Sequence, residues 1–218
     1  MGELNKKIAE RKNIERQERL SRILTAARKV FFEKGYLGST MRDIALKAAL
    51  SPGLIYHYYS GKDALYAAIC EEGFHALLSE LHKAEMTEGS VLDRLTAVGN
   101  AYVHFYQKSP EYFDIISFRD LGFKQVDLPR DIRDRLDNLS YQALDVIRRL
   151  LKAGIAEGTI SPEEDLWKMT MVVWAPIEGL IFIHKRGYMD TFRLDFEKIL
   201  KDEFRLIFVG ISSSSLYK

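Results

Sequence analysis

The side chains best suited to chemistry are few and scattered. Glu72-Gly73-Phe74-His75 is a Glu-x-x-His motif, a spacing that puts a carboxylate and an imidazole on one helical face. A carboxylate-bridged di-metal bundle needs two such motifs and two further Glu, and no second copy exists. His75 and His82 are seven residues apart and share a face, but two imidazoles alone do not define a metal site. Cys70 is the sole cysteine, so neither an intrachain disulfide nor a cysteine pair for a metal is available. There is no nucleophile elbow, phosphate-cradling glycine loop or dinucleotide fingerprint. No catalytic residue, metal or cofactor is therefore expected, and a helical carboxylate metalloprotein is kept only as the competing class.

What remains is electrostatic. The 218 residues carry a net charge of +1, which hides an asymmetry. Residues 1–62 hold 13 Lys/Arg against 6 Asp/Glu, and residues 63–218 hold 19 against 25. A basic quarter on an acidic remainder points to a polyanion partner for that quarter. Lys6, Lys7, Arg11, Lys12 and Arg16 crowd the first 18 residues, either as a solubilising tail or along a phosphate backbone or minor groove.

These residues must be positioned by helices. Leu20, Ile23, Leu24, Ala27, Val30 and Phe31 recur at helical spacing, and Gly35-Tyr36-Leu37-Gly38 ends that helix. Ser51-Pro52, Ser109-Pro110 and Ser161-Pro162 each read as a capping serine before a first-turn proline. Pro129 opens a further helix after Asp127, while Pro176 falls inside an apolar helical pattern and should kink it. The pattern predicts helices at 14–34, 41–48, 52–59, 63–84, 90–108, 110–117, 129–156, 162–186 and 192–211. Residues 1–13 read as a mobile polar tail and Ser212–Ser215 as a frayed end. The fold class is all-α. Two domains are expected, 1–62 (an N-terminal extension and a three-helix unit) and 63–218 (a larger helical domain).

The informative stretch is Thr40–Lys62. Thr40 precedes Met41-Arg42-Asp43-Ile44-Ala45, with Asp43 placed to complete a capping box. Ala48-Ala49-Leu50-Ser51 is a tight turn, and Pro52–Tyr59 a second short helix, so the pair forms a helix-turn-helix. Ile44, Ala45, Ala48, Leu50 and Ile55 are placed to pack against the first long helix. The small residues Ser51, Pro52 and Gly53 let backbone approach a groove. Lys62 stands at a new helix N-terminus, a place suited to phosphate.

The string Ala26-Ala27, Phe31-Phe32, Lys34-Gly35-Tyr36, Ser39–Ala45, Gly53–Tyr59 and Lys62–Leu65 closely resembles the DNA-binding domain of TetR-family transcriptional regulators. It spans about a fifth of the chain. The resemblance implies a homodimer that sets the helix at 52–59 into the major groove of a near-palindromic operator. By position it implies DNA contacts from Thr40, Arg42, Ser51, Pro52, Gly53, Leu54, Tyr56, His57, Tyr58 and Lys62. Arg42 is placed for a base edge and Leu54 for a thymine methyl, while Tyr58 and Lys62 match phosphate-holding positions. Tyr59 and Ile55 read as core. Ala49 departs from the family's frequent glycine in the turn; a left-handed backbone there would cost on the order of 1 kcal/mol.

The remainder is apolar and aromatic. Leu166, Met169, Val173, Ile177 and Leu180 form one stripe, and Trp167, Met171, Trp174 and Phe182 another. Phe196, Leu200, Phe204, Ile207, Phe208 and Ile211 line the last helix. The resemblance implies that these two helices build the dimer interface and that the helices between enclose a pocket. Tyr102, Phe105, Tyr106, Phe113, Tyr141, Met171, Trp174 and Glu178 are its candidate lining for a small hydrophobic or aromatic ligand. Tyr112, Phe118 and Phe123 belong to the same aromatic set, which plain core packing also explains. Glu178, alone in an apolar run, needs a partner, from the chain or from a cationic ligand. His104 and His184 read mainly as core-satisfying groups.

The implied function is a transcriptional regulator, a repressor released by its ligand; a DNA binder without small-molecule control is the alternative. Met1–Lys7 has no apolar leader run, and Met169–Ile183, interrupted by Pro176 and Glu178, falls short of the ~20 residues of a membrane span. A cytoplasmic protein without a membrane partner is expected.

Overall fold

The helical periodicity is realised throughout the computed structural model, which describes residues 2–117 and 128–213. The helices are α1 (Gly2–Gly38), α2 (Met41–Ala48), α3 (Pro52–Tyr58), α4 (Lys62–Glu85), α5 (Val91–Lys108), α6 (Pro110–Ser117), α7 (Arg130–Ala156), α8 (Leu166–Lys185), α9 (Tyr188–Phe192) and α10 (Phe196–Ile211). Among the described residues there is no strand, only one isolated bridge, Ile160 to Ser212. Phe118, Phe123, Asp127 and the last residues of the expected frayed tail lie outside the described residues.

The chain forms two units, residues 1–73 with 111–136, and 74–110 with 137–218. The first centres on Ile23, Ala27, Val30 and Phe31 of α1, Ile44 and Ala48 of α2, Ile55 of α3, Leu65 and Ile69 of α4, and Phe113 of α6, all buried. Phe31, Tyr36 and Tyr66 meet with ring centroids 5.2–5.8 Å apart, and the Tyr66 hydroxyl donates to the Ile115 carbonyl. The second unit is built on α5, the second part of α7, α8 and α10. Gly99 lets α5 approach closely, because a Cβ there would meet Phe204 at 2.5 Å and Ile177 at 3.2 Å.

Four expectations are corrected. The first helix begins at Gly2 rather than 14, so the polar tail is helical; Glu3–Lys7 and Arg11–Glu15 ion pairs at i,i+4 support turns that carry little apolar surface. Ser161-Pro162 starts no helix, because Asp165 caps α8 by accepting from the Trp167 and Lys168 amides. The 192–211 helix is broken by Arg193, which is left-handed (φ 54°), and restarts after Asp195, whose side chain accepts from the Lys198 amide. Finally, the apolar run is part of the 20-residue α8, long and apolar enough to cross a membrane by length and composition. Thr170, Val173, Ile177, Leu180 and Ile181 of α8 are buried in the second unit, as in a core helix. Pro176 sits within α8.

Candidate nucleic-acid interface and effector cavity

Local chemistry sets α2 and α3. Thr40 accepts from the Asp43 amide at 3.1 Å while Asp43 accepts from the Thr40 amide at 3.0 Å, a complete capping box. Lys34, 2.6 Å from Asp43, and the Thr40 hydroxyl hold that carboxyl down at about 2. Ser51 caps α3 by accepting from the Leu54 amide, and Pro52 occupies the first turn.

The turn between them is left-handed at Ala49 (φ 50°, ψ 48°). Arg22 of α1 locks it: Nε donates to the Ala48 carbonyl and Nη2 to the Ala49 carbonyl, both at 2.7 Å. These carbonyls terminate α2, where a cation is favoured. Sequence reasoning missed Arg22 because the contact spans 26 residues; only its place on α1 beside Ile23 hinted at it.

With Ile55 fully buried, α3 turns Pro52, Gly53, Tyr56 and His57 outward with the capping Ser51, and Leu54 and Tyr58 half-way. A Cβ on Gly53 would meet nothing within 4 Å, so the helix tip is open. Thr40 and Arg42 are exposed at the start of α2. Tyr59 is half-buried at the C-cap of α3. The candidate DNA-contacting side chains are thus exposed or half-exposed, but Lys62 is engaged within the chain. The Lys62 ammonium donates to the Tyr36 carbonyl at 2.8 Å and the Ser39 carbonyl at 2.9 Å, above the Tyr36 ring. Two of its three protons are spent tying α4 to the end of α1, which leaves one for an external acceptor. Asp63 accepts from the Tyr36 hydroxyl beside it.

In the second unit an apolar cavity lies between α4, α5, α7 and α8. It is lined by Leu77, Leu81, Val98, Tyr102, Ile147 and Trp174 among others and has about 360 Å³ of empty volume, open solvent at its mouth included. Of the sequence candidates, Tyr102 and Trp174 line it. The Tyr102 hydroxyl donates to Glu178, the chain partner that this carboxyl requires. Burial pushes the Glu178 pKa up, and the Tyr102 hydrogen bond offsets part of the rise.

The other candidates are not gathered there. Phe113 is fully buried in the first unit. Phe105 is buried away from the cavity lining, and the Tyr106 hydroxyl pairs with His184 Nδ1 at 2.9 Å. Tyr141 is half exposed and packs on Trp167 at 4.7 Å, and Met171 faces solvent. His104 is exposed, whereas His184 is held by Tyr106 and Phe196. Glu72 of the Glu-x-x-His motif accepts from the Tyr112 hydroxyl at 2.7 Å. Among the described residues no cluster of three His, Cys, Asp or Glu could hold a metal.

Comparison with known proteins agrees with this architecture. Residues 23–69 match the family described as bacterial regulatory proteins, tetR family. The transcriptional activator FasR of Mycolicibacterium smegmatis is 30% identical over 105 residues, so the alignment spans only about half of this chain and of FasR, 48% of each. The transcriptional repressor KstR2 of the same species is 22% identical over 90% of this chain and 92% of its own. Among solved structures, FadR of Bacillus subtilis, in complex with stearoyl-CoA, superposes with a TM-score of 0.71 at 19% identity, covering 88% of this chain and 99% of FadR. The fold and the helix-turn-helix define a DNA-binding transcriptional regulator. Residues 23–69 are thus a DNA-binding unit of the TetR family.

Proposed function

We propose that this chain is a cytoplasmic homodimeric repressor that binds a near-palindromic operator and is released by a small hydrophobic ligand. The observation that carries the reading is the outward face of α3, with an open Gly53 tip, held on a turn that Arg22 clamps from behind. Residues 1–62 serve DNA and 63–218 serve ligand and partner. Thr40, Arg42, Ser51, Pro52, Gly53, Leu54, Tyr56, His57 and Tyr58 meet the duplex, and Lys62 contributes at most one hydrogen bond to phosphate. The dimer is formed by α8 and α10, whose Met171, Val172, Phe182, Ile183, Leu206 and Val209 leave large apolar surface in solvent. Half-sites about one helical turn apart, roughly 34–36 Å, suit such a dimer. KstR2, a repressor aligned over most of both chains, supports the sign of control.

The ligand enters the cavity beside Tyr102 and Trp174. The apolar wall suits an acyl or aromatic body, and FadR's stearoyl-CoA makes a long-chain acyl thioester the first probe. Selection of bound duplexes from a random pool tests the DNA reading: an enriched inverted repeat supports it, and recovery of no common sequence refutes it. Titration of the protein–operator complex with stearoyl-CoA and with aromatic acids tests the release. Operator affinity unmoved by any ligand that quenches Trp174 would leave a DNA binder without small-molecule control.

A further inference from the structure

The first five turns of α1 are a feature that operator reading by α3 does not use. Burial along α1 begins at Ile23. From Asn5 to Glu18 every side chain is exposed except the half-exposed Glu15, so this stretch packs on no other described element. Residues 2–19 would extend about 27 Å at 1.5 Å per residue. A polar helix of this length is marginal in water by itself, so an unpacked one invites a partner.

Its charges are sorted. Lys7 pairs with Glu3, and both Arg11 and Arg19 pair with Glu15. Lys12 and Arg16 have no ion-pair or hydrogen-bond partner among the described residues. These two stand at i and i+4, and the same stripe continues through Arg19 to Ile23, Ala27 and Val30, the face buried in the first unit. Glu3, Glu10 and Glu18 lie about 120° or more around the helix from Arg16. Arg19 lies against Tyr58 at the end of α3, and one turn later Arg22 clamps the turn that leads into α3. The cationic stripe therefore runs outward from beside the recognition helix.

We propose that the N-terminal part of α1 is a second DNA-contacting element, with Lys12 and Arg16 set on phosphates of the duplex flanking the segment read by α3. Duplex DNA is the fitting occupant: the stripe is cationic, the one acid beside it, Glu15, is taken up by Arg11 and Arg19, and it begins beside Tyr58. The inference rests on the operator reading above, but it can fail alone.

The test uses the full-length protein, the operator obtained by selection, and two duplexes, one trimmed to the half-sites and one extended by about a helical turn on each side. Binding is measured from 50 to 200 mM salt for the wild type, for Lys12→Gln/Arg16→Gln, and for the charge-preserving Lys12→Arg/Arg16→Lys. Each lost phosphate contact flattens the log–log salt slope by about 0.9, so two per subunit in a dimer flatten it by about 3.6. The glutamine variant should thus lose about 100-fold less affinity than the wild type across that salt range, on the extended duplex only. The charge-preserving variant should keep the wild-type slope. Amide exchange gives an independent reading: residues 5–16 should gain protection on the extended duplex and not on the trimmed one. Equal slopes for wild type and glutamine variant, or no gain in protection, overturns this proposal while leaving operator binding by α3 intact. A wild-type chain that selects no duplex overturns the operator reading and this proposal together.

Discussion

Ala49→Gly should stabilise the protein without altering DNA affinity. Ala49 already sits at φ 50°, ψ 48°, a conformation that costs an alanine roughly 1–2 kcal/mol through the clash of its Cβ with the following carbonyl. Glycine removes that clash but gives up roughly 0.5–1 kcal/mol of chain entropy. The net gain is about 0.5–1 kcal/mol, which for a chain of this size raises Tm by about 1–4 °C at constant protein concentration. The backbone need not move, because Arg22 grips the Ala48 and Ala49 carbonyls in the existing geometry. Operator Kd should therefore stay within about twofold. Arg22→Ala is the counterpart: with two charge-assisted hydrogen bonds lost at a partly exposed site, destabilisation of about 2 kcal/mol is expected, and α3 should loosen with it. Thermal and urea unfolding of the single and double variants, with operator binding in parallel, provides the check. A Tm for Ala49→Gly at or below that of the wild type would refute the strain argument. An unchanged operator Kd for Arg22→Ala would refute the clamp.

Three further outcomes follow from the geometry. Gly53→Leu should fold at least as well as the wild type, since a side chain there meets open space, yet lose operator affinity by tenfold or more as it bars close approach; retained affinity in a binding titration would take Gly53 off the interface. Lys62→Met should destabilise by about 1–3 kcal/mol, from two lost carbonyl contacts, and flatten the salt slope by at most about 1 per subunit; a larger change in slope would make Lys62 chiefly a phosphate ligand. Burial raises the Glu203 pKa to about 7, with Oε2 enclosed and unbonded, so folding favours its protonated form: its contribution is intact below the ordinary carboxylate range and lost as pH rises through about 7. Glu203→Gln should therefore raise Tm at pH 8 and leave it unchanged at pH 4.5, and an equal shift at both would refute the titration.

The helices that carry function were the most legible because local rules determine them. Thr40 with Asp43, and Ser51 with Pro52, signal their caps within four residues, and Gly35 breaks α1 where its positive φ (68°) requires glycine. The misjudged boundaries lie where those signals compete or vanish. Ser161-Pro162 has the look of a cap, but Asp165 satisfies two amides three residues later and so sets the start of α8. The break at Arg193 had no local signal, since arginine rarely adopts φ 54°; the cap at Asp195 was the readable clue. The helical character of residues 2–13 was written in i,i+4 charge pairs rather than in apolar periodicity.

The two sites differ in legibility for the same reason. The seven-residue α3 shows its outward face directly, because burying Ile55 leaves Pro52, Gly53, Tyr56 and His57 no other direction. A cavity is a property of distant segments meeting, and aromatic composition is blind to which ones meet. Phe113 and Tyr102 looked alike as pocket candidates, but one fills the core around α1–α4 and the other lines a cavity with Trp174. Glu178 was the better clue, since an acid in an apolar run has to be satisfied, and the structure supplies Tyr102. The same demand gives the pocket its chemistry. A ligand reaching Tyr102 meets a phenol whose proton is already committed to a half-buried carboxyl, so the polar end of a ligand gains most there by donating to the phenol oxygen or to Glu178. Among ligands with the same apolar body, one carrying a hydroxyl or amine at that end should therefore outbind one carrying a carboxylate, and the reverse order in a competition assay would move the polar end of the site elsewhere.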